Sequence, residues 1–284
     1  MAYAGRSEPL KAIIMIEHLL KPHVCGRFLS DARYREGHLR VVNALPQRRV
    51  LGLHTPEMKR LAKELHRNGC DAVMPGGTIQ RCTCGADVIR CFENTAPGSL
   101  CYEETMVWGF LINLEKCSLE DRFRMLEHFV PVLDNWAVCD AFCANAKWMA
   151  RTDKGLLWSF LERWFASERE FEVRFAIVAS MCSLLCEGWI ERVFARIDRL
   201  DFGAVKSEYR SVKGKPAYVQ DGCVQGAEPY YVRMGAAWLL ATALAKFPEQ
   251  TRAFVNSSSL PADVVKLYVR KARESFRTRT LDAL

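Results

Sequence analysis

The chain has 284 residues, half of them hydrophobic and 26% charged, a balance that excludes a mainly disordered polypeptide and suffices for a large core. Lys and Arg number 40 against 33 Asp and Glu, leaving a net charge of +7, which suits a polyanionic partner without requiring one. The longest apolar stretches, around 176–186 and 235–245, fall short of the roughly 20 residues that span a bilayer; Met1–Leu20 is interrupted by Arg6, Glu8, Lys11, Glu17 and His18, so a soluble, cytoplasmic protein without a membrane partner is expected.

Taken in chain order, Thr55-Pro56-Glu57 reads as a helix start, a hydroxyl cap followed by proline and an acid, opening a helix to about His66. Residues 67–101 carry Gly69, Pro75, Gly76, Gly77, Gly85, Pro97 and Gly98 and predict a loop or loosely helical connection. Cys70, Cys82, Cys84, Cys91 and Cys101 also fall here, but without paired CxxC knuckles or an intervening histidine, so no metal centre is expected. The cysteines read as reduced thiols, and the i, i+4 pairs Cys139/Cys143 and Cys182/Cys186 as small apolar core residues. Glu103 and Glu104 read as acids complementing a helix N-terminus.

From there a repeat emerges. Aromatic-led helices are predicted to begin near Tyr102, Trp136, Phe171 and Tyr230. The first three starts are 34 and 35 residues apart and the last gap is 59, one more period plus an insertion. Amphipathic helices such as Leu119–Val130 and Leu156–Phe165 precede them, the latter turning Leu156, Leu157, Phe160, Leu161, Trp164 and Phe165 to one side. Helix pairs at this period predict an all-α, HEAT-like helical-repeat solenoid with a concave face, one domain over 1–284. The insertion, near 201–229, carries Lys206, Arg210, Lys213 and Lys215 and reads as a solvated loop or a flexible basic arm for phosphates. No alternating run predicts a sheet. The end of the chain is basic, with Lys266, Arg270, Lys271, Arg273, Arg277 and Arg279 around Glu274.

Trp136 and Asp140 are one helical turn apart and share a face. A carboxylate beside an indole in an apolar stretch is costly to bury without a partner or a purpose. Asp140 reads either as a structural acid paired with a nearby base or as a reactive one, Trp136 and Trp238 as core or as site, and Arg174 as a strut or a clasp. Arg233 stands three residues after Tyr230, as Arg174 does after Phe171, and is a second candidate phosphate ligand.

The segments FVPVLDNWAVCDAFC, SEREFEVRFAIV and PYYVRMGAAWLLATALAKFPEQT, with LGLHTPEMKRLAKEL upstream, together resemble the bacterial HEAT-repeat DNA alkylation-repair glycosylases, the AlkD-like family. The resemblance extends over most of residues 45–280. It implies an enzyme that binds duplex DNA along the concave face and hydrolyses the N-glycosidic bond of purines alkylated at N3 or N7. It also implies that Trp136, Asp140, Arg174 and Trp238 form the catalytic site. With no Gly-rich phosphate loop and no metal-ligand cluster in the sequence, neither cofactor nor metal is expected, and a monomer is expected. A further aromatic found in some members has no counterpart around Asn43–Leu45. Two readings compete with it: a non-catalytic module for damaged or distorted DNA, and a protein-interaction scaffold.

Overall fold

Apolar residues spaced three and four apart become helices through most of the chain in the computed structural model, which describes residues 16–73, 78–212, 215–219, 224–225 and 229–284. The fold is all-α and built of repeated helices. Among the described residues no helix is long and apolar enough to cross a membrane. The chain divides into two compact units, residues 1–132 and 133–284.

The first unit holds α1 (Glu17–Leu20), α2 (Gly26–Ser30), α3 (Ala32–Val42), α4 (Thr55–Asn68), α5 (Gly85–Glu93), α6 (Tyr102–Leu114) and α7 (Leu119–Phe129). The helix predicted from Thr55 forms, but Thr55 is its first residue and His54 occupies the cap position, without a side-chain cap bond. Gly52 just before it has φ +95°, and a Cβ there would lie 2.2 Å from the Phe28 ring, so only glycine lets the chain pass under that ring. The described residues of 67–101 hold more regular structure than the glycines suggest. Strands β1 (Cys70–Val73) and β2 (Ile79–Cys82) pair antiparallel and lead into α5; Pro75, Gly76 and Gly77 lie outside the described residues. Gly69 (φ +66°) makes that hairpin possible, since a Cβ there would meet the Cys82 carbonyl. All the described cysteines are free thiols. Cys82 and Cys91 bring their sulfurs to 3.4 Å, and no group of metal-ligating side chains assembles among the described residues.

Helix α6 is buried on nearly every side, as a helix apolar all round must be. Trp108 packs on it between Phe92 and Phe129, at ring centroid distances of 5.6 and 5.3 Å. Its two acids divide the work at its start. Glu104 completes a capping box with the Cys101 amide. Glu103 does more than complement the helix: it is fully buried and accepts from the amides of Leu51, Gly52 and Leu53 at 2.8–3.3 Å, clasping the loop that precedes α4. At the other end Arg122 of α7 donates to the otherwise open carbonyls of Ile112 and Glu115.

The second unit holds α8 (Trp136–Asn145), α9 (Lys154–Phe165), α10 (Glu170–Ser183), α11 (Ile190–Asp198), α12 (Tyr230–Leu244), α13 (Pro248–Ser257) and α14 (Ala262–Glu274). The aromatic-led starts predicted at Trp136 and Tyr230 fall on the first helical residue, and that at Phe171 one residue in. Helices α8, α10, α12 and α14 pack side by side in that order, forming one layer. A second layer is joined through rings and guanidinium groups. Trp158 of α9 meets Trp189 at 6.1 Å, beside Arg192 of α11, and Phe194 of α11 stacks on Phe254 of α13 at 4.5 Å. Helices α10 and α12 are almost wholly buried. On α9, Leu156 of the first turn, whose amide Asp153 caps, is exposed, and Trp158 takes the core place instead. Cys139 and Cys143 are core residues as expected, whereas Cys182 is exposed.

The insertion corrects the expectation of a loop without sheet. Strand β3 (Lys206–Ser207) pairs with β6 (Val224–Gln225), and β4 (Tyr209–Val212) with β5 (Lys215–Tyr218), all antiparallel. Two residues, Ser207 and Tyr209, are buried at strand spacing while Lys206 and Arg210 face outward. Tyr209 is the root of this hairpin. Its ring stands on Tyr231 at 5.0 Å and near Phe171 at 6.2 Å. So short an alternation, with a single large apolar residue, carries little signal in sequence.

Candidate functional site

Three neighbouring helices of the second unit each supply a part. On α8, Asn135 caps the first turn by accepting from the Ala137 amide at 2.8 Å, which starts the helix at Trp136 and sets Asp140 one turn later on the same face. On α10, Arg174 lies one turn in from the helix start, its side chain only 4% exposed. On α12, Tyr231 and Trp238 follow the proline that opens the helix.

Arg174 joins these elements. Its Nε donates to Asp140 Oδ1 at 3.0 Å and its Nη2 to Oδ2 at 2.8 Å, the paired geometry that a planar guanidinium matches to a carboxylate. Its Nη1 donates to the Tyr231 carbonyl at 2.6 Å, and its charge lies 5.7 Å from the Tyr231 ring centre. Burial disfavours the charged guanidinium, but the adjacent Asp140 carboxylate more than offsets this and raises the arginine above its ordinary value. The side chain is sealed and engaged on three sides, so in this state it holds Asp140 and is turned away from any incoming phosphate.

Asp140 is the more open partner, with 14% of its side chain exposed. Trp136 and Trp238 are partly exposed as well, unlike Trp108, Trp158 and Trp164, which are buried. These two indoles are not plain core residues. Trp238 also lines a pocket of about 290 Å³ with Thr242 of its own helix and Lys271, Glu274 and Arg277 of α14 and its continuation. The basic end of the chain therefore borders the tryptophan. Within it, Glu274 pairs with Lys271 at 3.0 Å and Arg270 at 3.7 Å.

The other predicted residues fall elsewhere. Arg233 is buried, ion-paired with Asp263 and set 5.4 Å over the Phe202 ring; it braces α12 against α14 and is not presented to a phosphate. Lys206, Arg210 and Lys215 are exposed on the insertion, Lys206 paired with Glu168 at 2.5 Å. Lys213 lies outside the described residues.

Two contributors were not legible in sequence. Tyr231 acts through its backbone N–H and carbonyl, which leave no side-chain signature. Glu170 stands four residues before Arg174 and reads as an ordinary acid of a helix start, yet it is buried and bound by Ser207, by the Tyr231 amide at 2.7 Å and by the charge of Arg174. Burial pushes its carboxyl up to about 7, against the pull of those donors. Its i, i+4 relation to Arg174 was the one available clue.

A half-open carboxylate, locked in orientation by a buried arginine and sharing a helix face with an indole, can stabilise a cation and receive a proton from water. Residues 99–200 match the family model of the DNA alkylation repair enzymes. The match contains Trp136, Asp140 and Arg174 and supports the resemblance read from the sequence. The matched alkylation-repair family is one of DNA repair enzymes, and Trp238 lies beyond the matched segment. No curated protein and no solved structure matches the chain.

Proposed function

We propose that the protein is a DNA glycosylase that hydrolyses the N-glycosidic bond of purines carrying an alkyl group at N3 or N7 in duplex DNA. The observation that carries this reading is the Asp140 carboxylate, held by Arg174 yet still partly open, inside the segment that matches the alkylation-repair family.

The chemistry suits a site with one acid. An N3- or N7-alkylated purine already bears a positive charge, so it departs without needing a proton from a general acid. As the bond to C1′ breaks, its electron pair leaves with the base and neutralises it, and the sugar becomes an oxocarbenium ion. Asp140 stabilises that cation and accepts the proton of the water that adds at C1′. The products are the free neutral base and an abasic site. The partly exposed faces of Trp136 and Trp238 are suited to hold the cationic base or sugar, each such interaction contributing on the order of 0.5–2 kcal/mol. Arg174 fixes the carboxylate rather than gripping the duplex, in keeping with its burial.

The exposed Lys206, Arg210 and Lys215 of the insertion, with Lys213, are suited to phosphates. Replacing all four by alanine is expected to weaken duplex binding and to flatten its salt dependence by about 0.9 in log–log slope for each phosphate that is no longer neutralised. Fluorescence anisotropy across a salt series measures this, and an unchanged slope returns the insertion to a surface ornament.

Incubation of the purified protein with methylated duplex DNA, followed by chromatography of the released bases, tests the main reading. Release of 7-methylguanine or 3-methyladenine is expected. Tight duplex binding without release would instead favour the non-catalytic module.

A further inference from the structure

The backbone of Tyr231 is bound through two successive peptide groups. Its N–H donates to Glu170 Oε1 at 2.7 Å and its carbonyl accepts from Arg174 Nη1 at 2.6 Å. Glu170 and Arg174 are successive turns of α10, and the next link from Arg174 is the bidentate grip on Asp140. The second oxygen of Glu170 takes the hydroxyl of Ser207, the residue after Lys206 at the start of the insertion. One buried carboxyl thus ties α10, the first turn of α12 and strand β3 around the arginine that aims the candidate catalytic acid.

We propose that Glu170 is a positioning residue for the Asp140–Arg174 pair, holding the backbone of Tyr231, and through it the guanidinium, in the geometry that directs the Asp140 carboxylate. The effect on reaction rate rests on the glycosylase reading; the structural linkage does not. The groups that face Glu170 are Arg174 on its own helix, the Tyr231 and Val232 amides of α12, Ser207 of β3 and Tyr209 of β4. With the Glu170 carboxyl pushed up to about 7, folding favours its protonated form. The stability it contributes is full below its ordinary value of 4.5 and is lost as pH rises through about 7. A glutamine there should therefore melt at or above the wild-type temperature in mildly alkaline buffer, and a thermal melt beside the rate separates loss of activity from loss of fold.

Two variants and one spectroscopic measurement test the proposal. Glu170→Ala is expected to lower single-turnover base release on the order of 10- to 100-fold, as displaced catalytic groups do, with duplex affinity unchanged. The wild-type rate is expected to show an inflection near pH 7; Glu170→Gln, whose amide oxygen still accepts from the Tyr231 N–H, is expected to recover most of the rate lost in alanine but to lack that inflection. By NMR, the Arg174 Nε–H and Tyr231 N–H signals of the wild type should titrate together with a midpoint of about 7, and stay flat in Glu170→Gln. An alanine variant with wild-type rate, a glutamine variant that keeps the inflection, or wild-type signals that do not move together would overturn it. Should the wild type release no base, the glycosylase reading fails on its own and the NMR titration still decides this one, as it does if the alanine variant does not fold.

Discussion

Asp140→Asn is expected to slow the release of 7-methylguanine by about 10²–10³-fold, the usual cost of removing an electrostatic stabiliser of a transition state, while duplex affinity changes little. The amide matches the carboxylate in size and keeps an oxygen for Arg174 Nε, which now lies 3.0 Å from Oδ1. What it lacks is the negative charge that a developing oxocarbenium ion needs and the basicity to take a proton from water. Because the bidentate grip is weakened as well, thermal melts of both proteins belong beside the rate measurement. A variant that remains folded and releases base at the wild-type rate would remove Asp140 from the mechanism. Equal loss of rate and of binding would make it a ligand-binding group only.

Arg174→Met should cost the second unit about 3 kcal/mol of stability, the low end of what breaking a buried ion pair costs. Methionine fills much of the space, so the loss reports the charge and its bonds rather than a cavity. The low end is the appropriate choice because the stranded carboxylate is not sealed: 14% of the Asp140 side chain already meets solvent. Arg174→Lys should fall between, since an ammonium keeps the charge but cannot reach both carboxylate oxygens and the Tyr231 carbonyl in one plane. Guanidinium denaturation of both single variants and of the Asp140→Asn/Arg174→Met double variant measures the coupling, expected at ~1 kcal/mol or more. Additive losses would mean that the two groups do not depend on each other, and the account of Arg174 as the clamp on Asp140 would fall with them.

The legible parts of this molecule are those governed by local chemistry. Aromatic-led helix starts at Tyr102, Trp136 and Tyr230 agree with the structure to the residue, because a helix start and its apolar period are written within a few positions. The hairpins at 70–82 and 209–218 carry no such signal. Their strands are short, and the second depends on Tyr209 finding Tyr231 and Phe171, residues distant in sequence. Glu103 has the sequence setting of a local helix complement, yet it holds three amides some fifty positions upstream.

The same division runs through the candidate site. Order and spacing named the candidates: an indole and an acid one turn apart, an arginine one repeat later, a second indole after an insertion; of these the structure joins the acid to the arginine. What each of them does was a tertiary matter. Arg174 and Arg233 occupy equivalent places in their helices, yet one grips Asp140 and the other Asp263, and neither can be told from a phosphate ligand until its neighbours are in place. Glu170 became a buried acid with a carboxyl near neutrality only when α12 and the insertion closed over it. Helical period is a property of consecutive residues, whereas burial, charge pairing and the protonation they impose belong to atoms that the chain brings together from far apart.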